Sequence, residues 1–197
     1  EKMPPATERQ QLMMRRPNLD GLPRLVVPSG YALRSYRRGD EAAWAAIMNT
    51  GIGSDWTAER CVEYLTGQPQ FRADGLFFTT VGDTAGPAIG SACAWTEHPD
   101  ERDEGLVHMV CVLPEHRGHG LGRVVTLAVL RYMRQHGFRS ARLRTDDWRR
   151  SAIRAYLSLG LEPLYPPDAA PGDDHRARWA AVIEQLGASP APGTDGA

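Results

Sequence analysis

The stretch from Val110 to Met133 constrains this chain more than any other. Up to Pro114 (VCVLP) the residues alternate like a strand. Beyond Gly120, residues Val124, Val125, Leu127, Ala128, Leu130 and Met133 recur at helical spacing, with Arg123, Arg131 and Arg134 among them. The turn between, Arg117-Gly118-His119-Gly120-Leu121-Gly122, has glycine at every second position. A strand feeding a glycine-rich turn that opens a helix is a way to bind phosphate. Glycine lets backbone N–H groups approach the anion closely, and the unpaired N–H groups and dipole of the helix N-terminus favour negative charge. The alternative is a structural turn with no ligand.

Neighbouring residues narrow the nucleotide class. A Walker loop ends in Gly-Lys-Ser/Thr, and no lysine follows here. A dinucleotide fingerprint needs GxGxxG with an acidic residue about twenty positions on. Gly118, Gly120 and Gly122 give GxGxG instead, and the stretch downstream is RSARLRTDD. Arg117-Gly118-His119-Gly120-Leu121-Gly122 after Val112-Leu113-Pro114 resembles the acetyl-CoA loop of the GNAT superfamily of N-acetyltransferases, whose signature is Arg/Gln-x-x-Gly-x-Gly/Ala after a strand ending in Val-x-Pro.

Length and charge agree with a single enzyme-sized domain. The 197 residues suffice to bury a sizeable core. Lys+Arg 23 against Asp+Glu 24 leaves no global field for nucleic acid or an anionic membrane. Arginines crowd Arg117–Arg154, where a polyphosphate would be held, although a solvated face explains most of them equally well. Cys61, Cys93 and Cys111 are odd in number and suit neither a disulfide framework nor a zinc site, so no metal is expected. No run of about twenty apolar residues and no signal-peptide core occurs, which predicts a cytoplasmic protein.

Residues 1–29 read as a polar N-terminal arm without periodicity. Gly30–Arg37 alternates as a strand, and Asp40 is placed to cap a helix carrying Ala43, Trp44, Ile47 and Met48. Thr57–Leu65 is a second helix. The GIGSDWT loop before it offers Asp55 for a cationic amine, or merely an exposed carboxylate, and Trp56 for substrate stacking or for the core. Gly75–Val81 and Ala88–Thr96 read as antiparallel strands, followed by a charged loop at Glu97–Glu104 and a strand at Leu106–Leu113. Ser140–Thr145 is a strand, Ser151–Leu159 a helix and Leu161–Tyr165 a strand. A last helix, Arg176–Leu186, would be capped by Asp174, and residues 187–197 form a disordered-type tail. The order β-α-α-β-β-β-α-β-α-β matches the superfamily's α+β plan, a mixed and mostly antiparallel central sheet flanked by helices, over about residues 30–166. The expected acetyltransferase domain is 30–186.

The resemblance implies a reaction: acetyl-CoA donates its acetyl group to a primary amine by direct attack. Arg117, Gly118, His119, Gly120, Leu121 and Gly122 would hold the pyrophosphate. Val110, Cys111 and Val112 would run beside the pantetheine arm, with a backbone N–H near Val110 facing the thioester oxygen. SAIRAYLSLGLEP is similar to the superfamily's closing motif, with Ala152, Tyr156 and Gly160 in register. Its tyrosine, here Tyr156, would protonate the departing thiolate, or else pack on the sheet.

His108 stands where many members carry a glutamate base. An imidazole with a pKa near about 6.5 accepts a proton at neutral pH. By alternation His108 shares a face with Leu106, Val110 and Val112 unless a bulge re-aims it. A core histidine is the other reading. The motif's asparagine is replaced by Arg149 and its phenylalanine by Leu161. TDDWRRSAI is similar to a bacterial branch of the superfamily, which leaves Arg149 a cofactor or a substrate role. Asp146 and Asp147 could select a cationic substrate, orient Arg149 or cap the next helix. The acceptor, a small molecule or a peptide amine, carries no code in the sequence. A homodimer is compatible with the superfamily's habits. The competing function is an acyl-CoA-binding sensor or scaffold without turnover, which the retention of Tyr156 disfavours.

Overall fold

The polar arm contributes a strand to the sheet. In a computed structural model that describes residues 10–166, 174–187 and 194–195, β1 (Leu12–Arg16) lies between two later strands. It runs antiparallel to both β6 (Ser140–Thr145) and β7 (Glu162–Tyr165). Leu12 and Met14 are fully buried, while Met13 and Arg15 face the other side. The sheet therefore begins at Leu12, well before the strand expected from Gly30.

The remaining strands are β2 (Tyr31–Ser35), β3 (Leu76–Val81), β4 (Ala88–Trp95), β5 (Glu104–Val112) and the two-residue β8 (Thr194–Asp195). Their order across the sheet is β2-β3-β4-β5-β6-β1-β7-β8. Pairing is antiparallel except for β5 with β6 and β7 with β8. The rest of the tail expected after Gly187 lies outside the described residues.

One face is covered by α3 (Leu121–Gln135), α4 (Arg150–Ser158) and α5 (His175–Leu186). α3 buries Val125, Leu127, Val129, Leu130 and Met133 against Ala92, Ala94 and Val107. α3 lies so close to β5 that a Cβ on Gly105 would come within 2.5 Å of the Met133 sulfur. On the other face α1 (Glu41–Met48) and α2 (Ala58–Cys61) pack Trp44, Ile47, Met48 and Cys61 over Leu76, Phe78, Cys93 and Cys111. α2 widens into a π turn over Val62–Thr66, closed by Gly67 N–H on the Val62 carbonyl at 2.8 Å. Among the described residues no helix is long and apolar enough to cross a membrane.

Asp174 caps α5 as expected, and Thr57 caps α2 as well. Thr57 accepts Arg60 N–H at 3.2 Å, and Asp174 accepts Ala177 N–H at 2.9 Å. Asp40 holds the N-cap position of α1 without capping it, because its carboxylate is taken by Arg34 at 2.6 and 2.9 Å and by Arg37 N–H at 2.6 Å.

The feature that makes a site is a break in β5. Pairing with β4 runs Cys93↔His108 and then Ser91↔Cys111, so three steps on β5 match two on β4. The extra residue is a bulge at Met109, whose φ of 53° is left-handed. On its other side β5 pairs with β6 only as far as Leu106↔Arg142. β6 continues to Thr145 against β1, and a cleft opens between the two strands.

Candidate active site

The glycine turn lies at one end of that cleft. After β5, residues Pro114–His116 make a tight 3-10 turn in which Pro114 C=O accepts Arg117 N–H at 3.2 Å. None of the N–H groups of residues 118–123 meets a backbone acceptor, and Gly120 caps α3 in the left-handed conformation, φ 76°. A Cβ on Gly118 or Gly120 would meet open space. The turn is a row of backbone donors without a backbone acceptor at the wall of the cleft, as a diphosphate requires.

Two predicted residues contribute differently from expectation. The Arg117 guanidinium is engaged with the main chain, Nε to Val112 O at 3.0 Å and Nη2 to Thr50 O at 3.1 Å. It shapes the turn and ties it to the loop after α1. The His119 ring packs on Tyr31 at 5.6 Å with its Nδ1 against the turn's own carbonyls, which leaves its N–H for the expected role.

Two adjoining cavities fill the cleft. The first, about 340 Å³, is lined by Val110, Cys111, Val112, Gly118, Gly120 and Gly122 together with Ala152 and Ala155 of α4. The second, about 420 Å³, is lined by His108, Met109, Arg144, Thr145, Asp146 and Gln11. Val110, Arg149 and Tyr156 line both. The predicted strand, turn and helix residues thus converge on one continuous site.

The bulge decides which way the side chains point. His108 does not share a face with Val110, as simple alternation would have it. It lies on the side of Cys93 and Cys111, with its ring against Trp95 at 5.7 Å. Burial, reinforced by the Arg144 charge and opposed by Glu97, lowers its pKa to about 4, so the imidazole is neutral at pH 7. Tyr156 is buried, and burial raises its phenol to about 12 despite Arg149. Among the described residues no hydrogen bond occupies its hydroxyl. At neutral pH the cleft therefore holds a protonated phenol and a neutral imidazole with one nitrogen able to accept a proton.

Arg149 closes the rim. Its Nε pairs with Asp146 at 2.8 Å, its Nη2 reaches Gly51 O at 2.5 Å, and its guanidinium lies over the exposed Trp148 ring at 4.8 Å. Asp146 also accepts from Gln11 at 3.1 Å, and Asp147 pairs with Arg178 of α5 at 2.5 Å. Neither aspartate caps α4, whose N-cap position is Arg149 with no side-chain bond. Asp55 is paired with Arg60, and Trp56 packs against the second core cluster. Sequence reasoning missed Gln11, Arg144 and Thr145, whose buried hydroxyl oxygen has no partner. Thr145 and Arg144 alternate at the end of β6, the one signal that could have placed them. Among the described residues no group of three His, Cys, Asp or Glu side chains is placed to hold a metal.

The stretch of sequence that builds most of this cleft matches a family model. The Acetyltransferase (GNAT) family model covers residues 44–161. The chain belongs to the GNAT family. It is 37% identical to the mycothiol acetyltransferase of Thermomonospora curvata over 79% of this chain and 52% of that protein. Against the protein of the same name from Nocardia farcinica, the identity is 35% over 73% and 49%. The chain thus spans about half the length of the curated relatives it matches. A GNAT structure from Sphaerobacter thermophilus superposes with a TM-score of 0.63 at 21% identity, covering 79% of this chain and 49% of that one. That likeness is one of fold. The family match begins at Trp44 and so leaves β1, with the Gln11 that precedes it, outside.

Proposed function

We propose that the chain is an N-acetyltransferase that takes acetyl-CoA at the glycine turn and a polar primary amine in the second cavity. The observation that carries this reading is the junction of the two cavities at Val110, Arg149 and Tyr156. A donor bound at the turn and an acceptor in the polar cavity would meet there. Acetyl-CoA supplies an activated acyl group on a thiol that leaves.

The free N–H groups of residues 118–123 bind the diphosphate, helped by the α3 dipole. Val110–Val112 guide the pantetheine arm, and the Val110 N–H stabilises negative charge developing on the thioester oxygen. Holding amine and carbonyl together supplies a large part of the acceleration, equivalent to roughly 10⁵–10⁸ M in effective concentration. Tyr156 keeps its proton until the thiolate needs it. His108, neutral at working pH, receives the proton from the attacking nitrogen. With a pKa lowered to about 4, it passes that proton to water rather than keeping it.

The acceptor cavity brings Arg144, Asp146 and Gln11 around one space. Mixed charge with an amide suits a hydroxyl-rich or zwitterionic amine better than an apolar one. The relatives' name suggests mycothiol-related amines as the first acceptors to assay. The test is release of free thiol from acetyl-CoA against a panel of such amines, polyamines, amino acids and peptides. Acceptor-dependent thiol release with a matching acetylated product supports the reading. Tight CoA binding with no transfer to any amine would favour the sensor.

A further inference from the structure

Ser91 lies on β4, opposite the bulge, with a fully buried side chain. Burying a hydroxyl on the sheet face that carries Cys93 and Cys111 is unfavourable unless it is bonded, and alanine would fill much of the same space. Its Oγ donates to the Met109 carbonyl at 3.2 Å. Met109 is the only residue other than glycine with positive φ among the described residues, and neither it nor Val110 has a register partner in β4. The left-handed conformation of a methionine is unfavourable, and the Ser91 bond is an interaction of comparable size that holds it.

The peptide bond makes this bond directional. The Met109 C=O and the Val110 N–H belong to one planar trans unit and point in opposite directions. Anchoring the carbonyl to Ser91 on the β4 side turns the N–H toward β6, where Val110 lines both cavities. We infer that Ser91 is a positioning residue: its hydroxyl fixes the Met109–Val110 peptide so that the Val110 N–H is aimed at the acyl carbonyl. The inference rests on the acetyltransferase reading.

The experiment is difference infrared spectroscopy of the protein with acetyl-CoA carrying ¹³C at the thioester carbonyl, alongside the dissociation constant of each variant. In the wild-type protein the carbonyl band moves to lower frequency than in buffer, because the N–H polarises it. In Ser91→Ala the band returns at least half-way to the buffer position while acetyl-CoA affinity stays within about threefold of wild type. Ser91→Thr, which keeps the hydroxyl, restores the low-frequency band. If Ser91→Ala does not fold, Ser91→Cys, with a weak donor of similar size, gives the same partial return. A band unmoved by loss of the Ser91 hydroxyl, or a wild-type protein that binds acetyl-CoA with no shift, overturns the inference. A wild-type protein that fails to bind acetyl-CoA at all overturns instead the reading on which it rests.

Discussion

Arg149 Nη2 donates to the carbonyl of Gly51 at 2.5 Å, joining the head of α4 to the loop after α1 across the rim of the cleft. Arg117 makes the adjacent link, to Thr50 O at 3.1 Å, from the glycine turn. Two arginines from opposite sides of the cleft therefore hold consecutive carbonyls of one loop. That loop borders the first cavity through Thr50 and Gly51 and the second through Ile52.

Removing the Arg149 side chain takes one of the loop's two arginine tethers and leaves the Asp146 carboxylate with Gln11 alone. Arg149→Ala is expected to lower stability by about 1–3 kcal/mol and to speed amide exchange selectively in residues 50–57. Arg149→Lys restores only part of the protection, because one ammonium cannot serve both partners at once. Hydrogen-exchange mass spectrometry with urea titration checks both. Uniform exchange changes across the molecule would contradict a local tether.

His108 makes stability depend on pH in a defined direction. Its folded pKa, about 4, is below the unfolded value, so the unfolded chain binds the extra proton first as pH falls. The contribution is complete above the unfolded pKa of about 6.5 and is lost progressively as pH drops toward 4. Between pH 7 and pH 5 the wild-type protein loses about 2 kcal/mol through this group. His108→Gln removes that share of the pH dependence, leaving whatever other groups contribute. Urea unfolding of both proteins at the two pH values reads the difference, and parallel losses would contradict it.

Tyr156→Phe keeps the ring and removes the proton. Turnover is expected to fall about 10²-fold, with the dissociation constant for acetyl-CoA unchanged within about threefold. The phenol's pKa of about 12 also implies that Tyr156 adds no alkaline limb to the rate profile below about pH 10. Wild-type turnover in the phenylalanine variant would return Tyr156 to a packing role.

The glycine turn and its helix could be read in the sequence because local chemistry dictates both. The change from alternation to helical spacing at Gly120 and the three alternate glycines need no tertiary information. β1 was not legible for the opposite reason. Leu12, Met13 and Met14 are apolar in succession, so alternation is masked, and the strand exists because β6 and β7 provide partners on both sides. A bulge near His108 was open as an alternative to strict alternation, but its position at Met109 was hidden. Methionine gives no sign of a left-handed backbone, and the condition for it lies on β4, in a serine hydroxyl. Asp40 had the right residue type for a cap, but Arg34 on β2 took its carboxylate. A competing partner of this kind, Arg178, distant in sequence, also decided Asp147, whereas Asp146 pairs with Arg149 three residues on.

The central claim is that the unpaired backbone amides at 118–123 grip the diphosphate of acetyl-CoA, and calorimetry of acetyl-CoA binding to wild type, Gly120→Ala and Gly120→Glu tests it most directly. An added Cβ meets no atom within 4 Å. Both variants therefore bear mainly the strain of a left-handed side chain, about 1–2 kcal/mol, and remain folded. A carboxylate brought within about 4 Å of a phosphate charge near the surface opposes binding by about 4 kcal/mol per charge pair, roughly 10³-fold. The account predicts a measurable loss for alanine and near-abolition for glutamate, with circular dichroism unchanged. Wild-type affinity in a folded Gly120→Glu protein would contradict it.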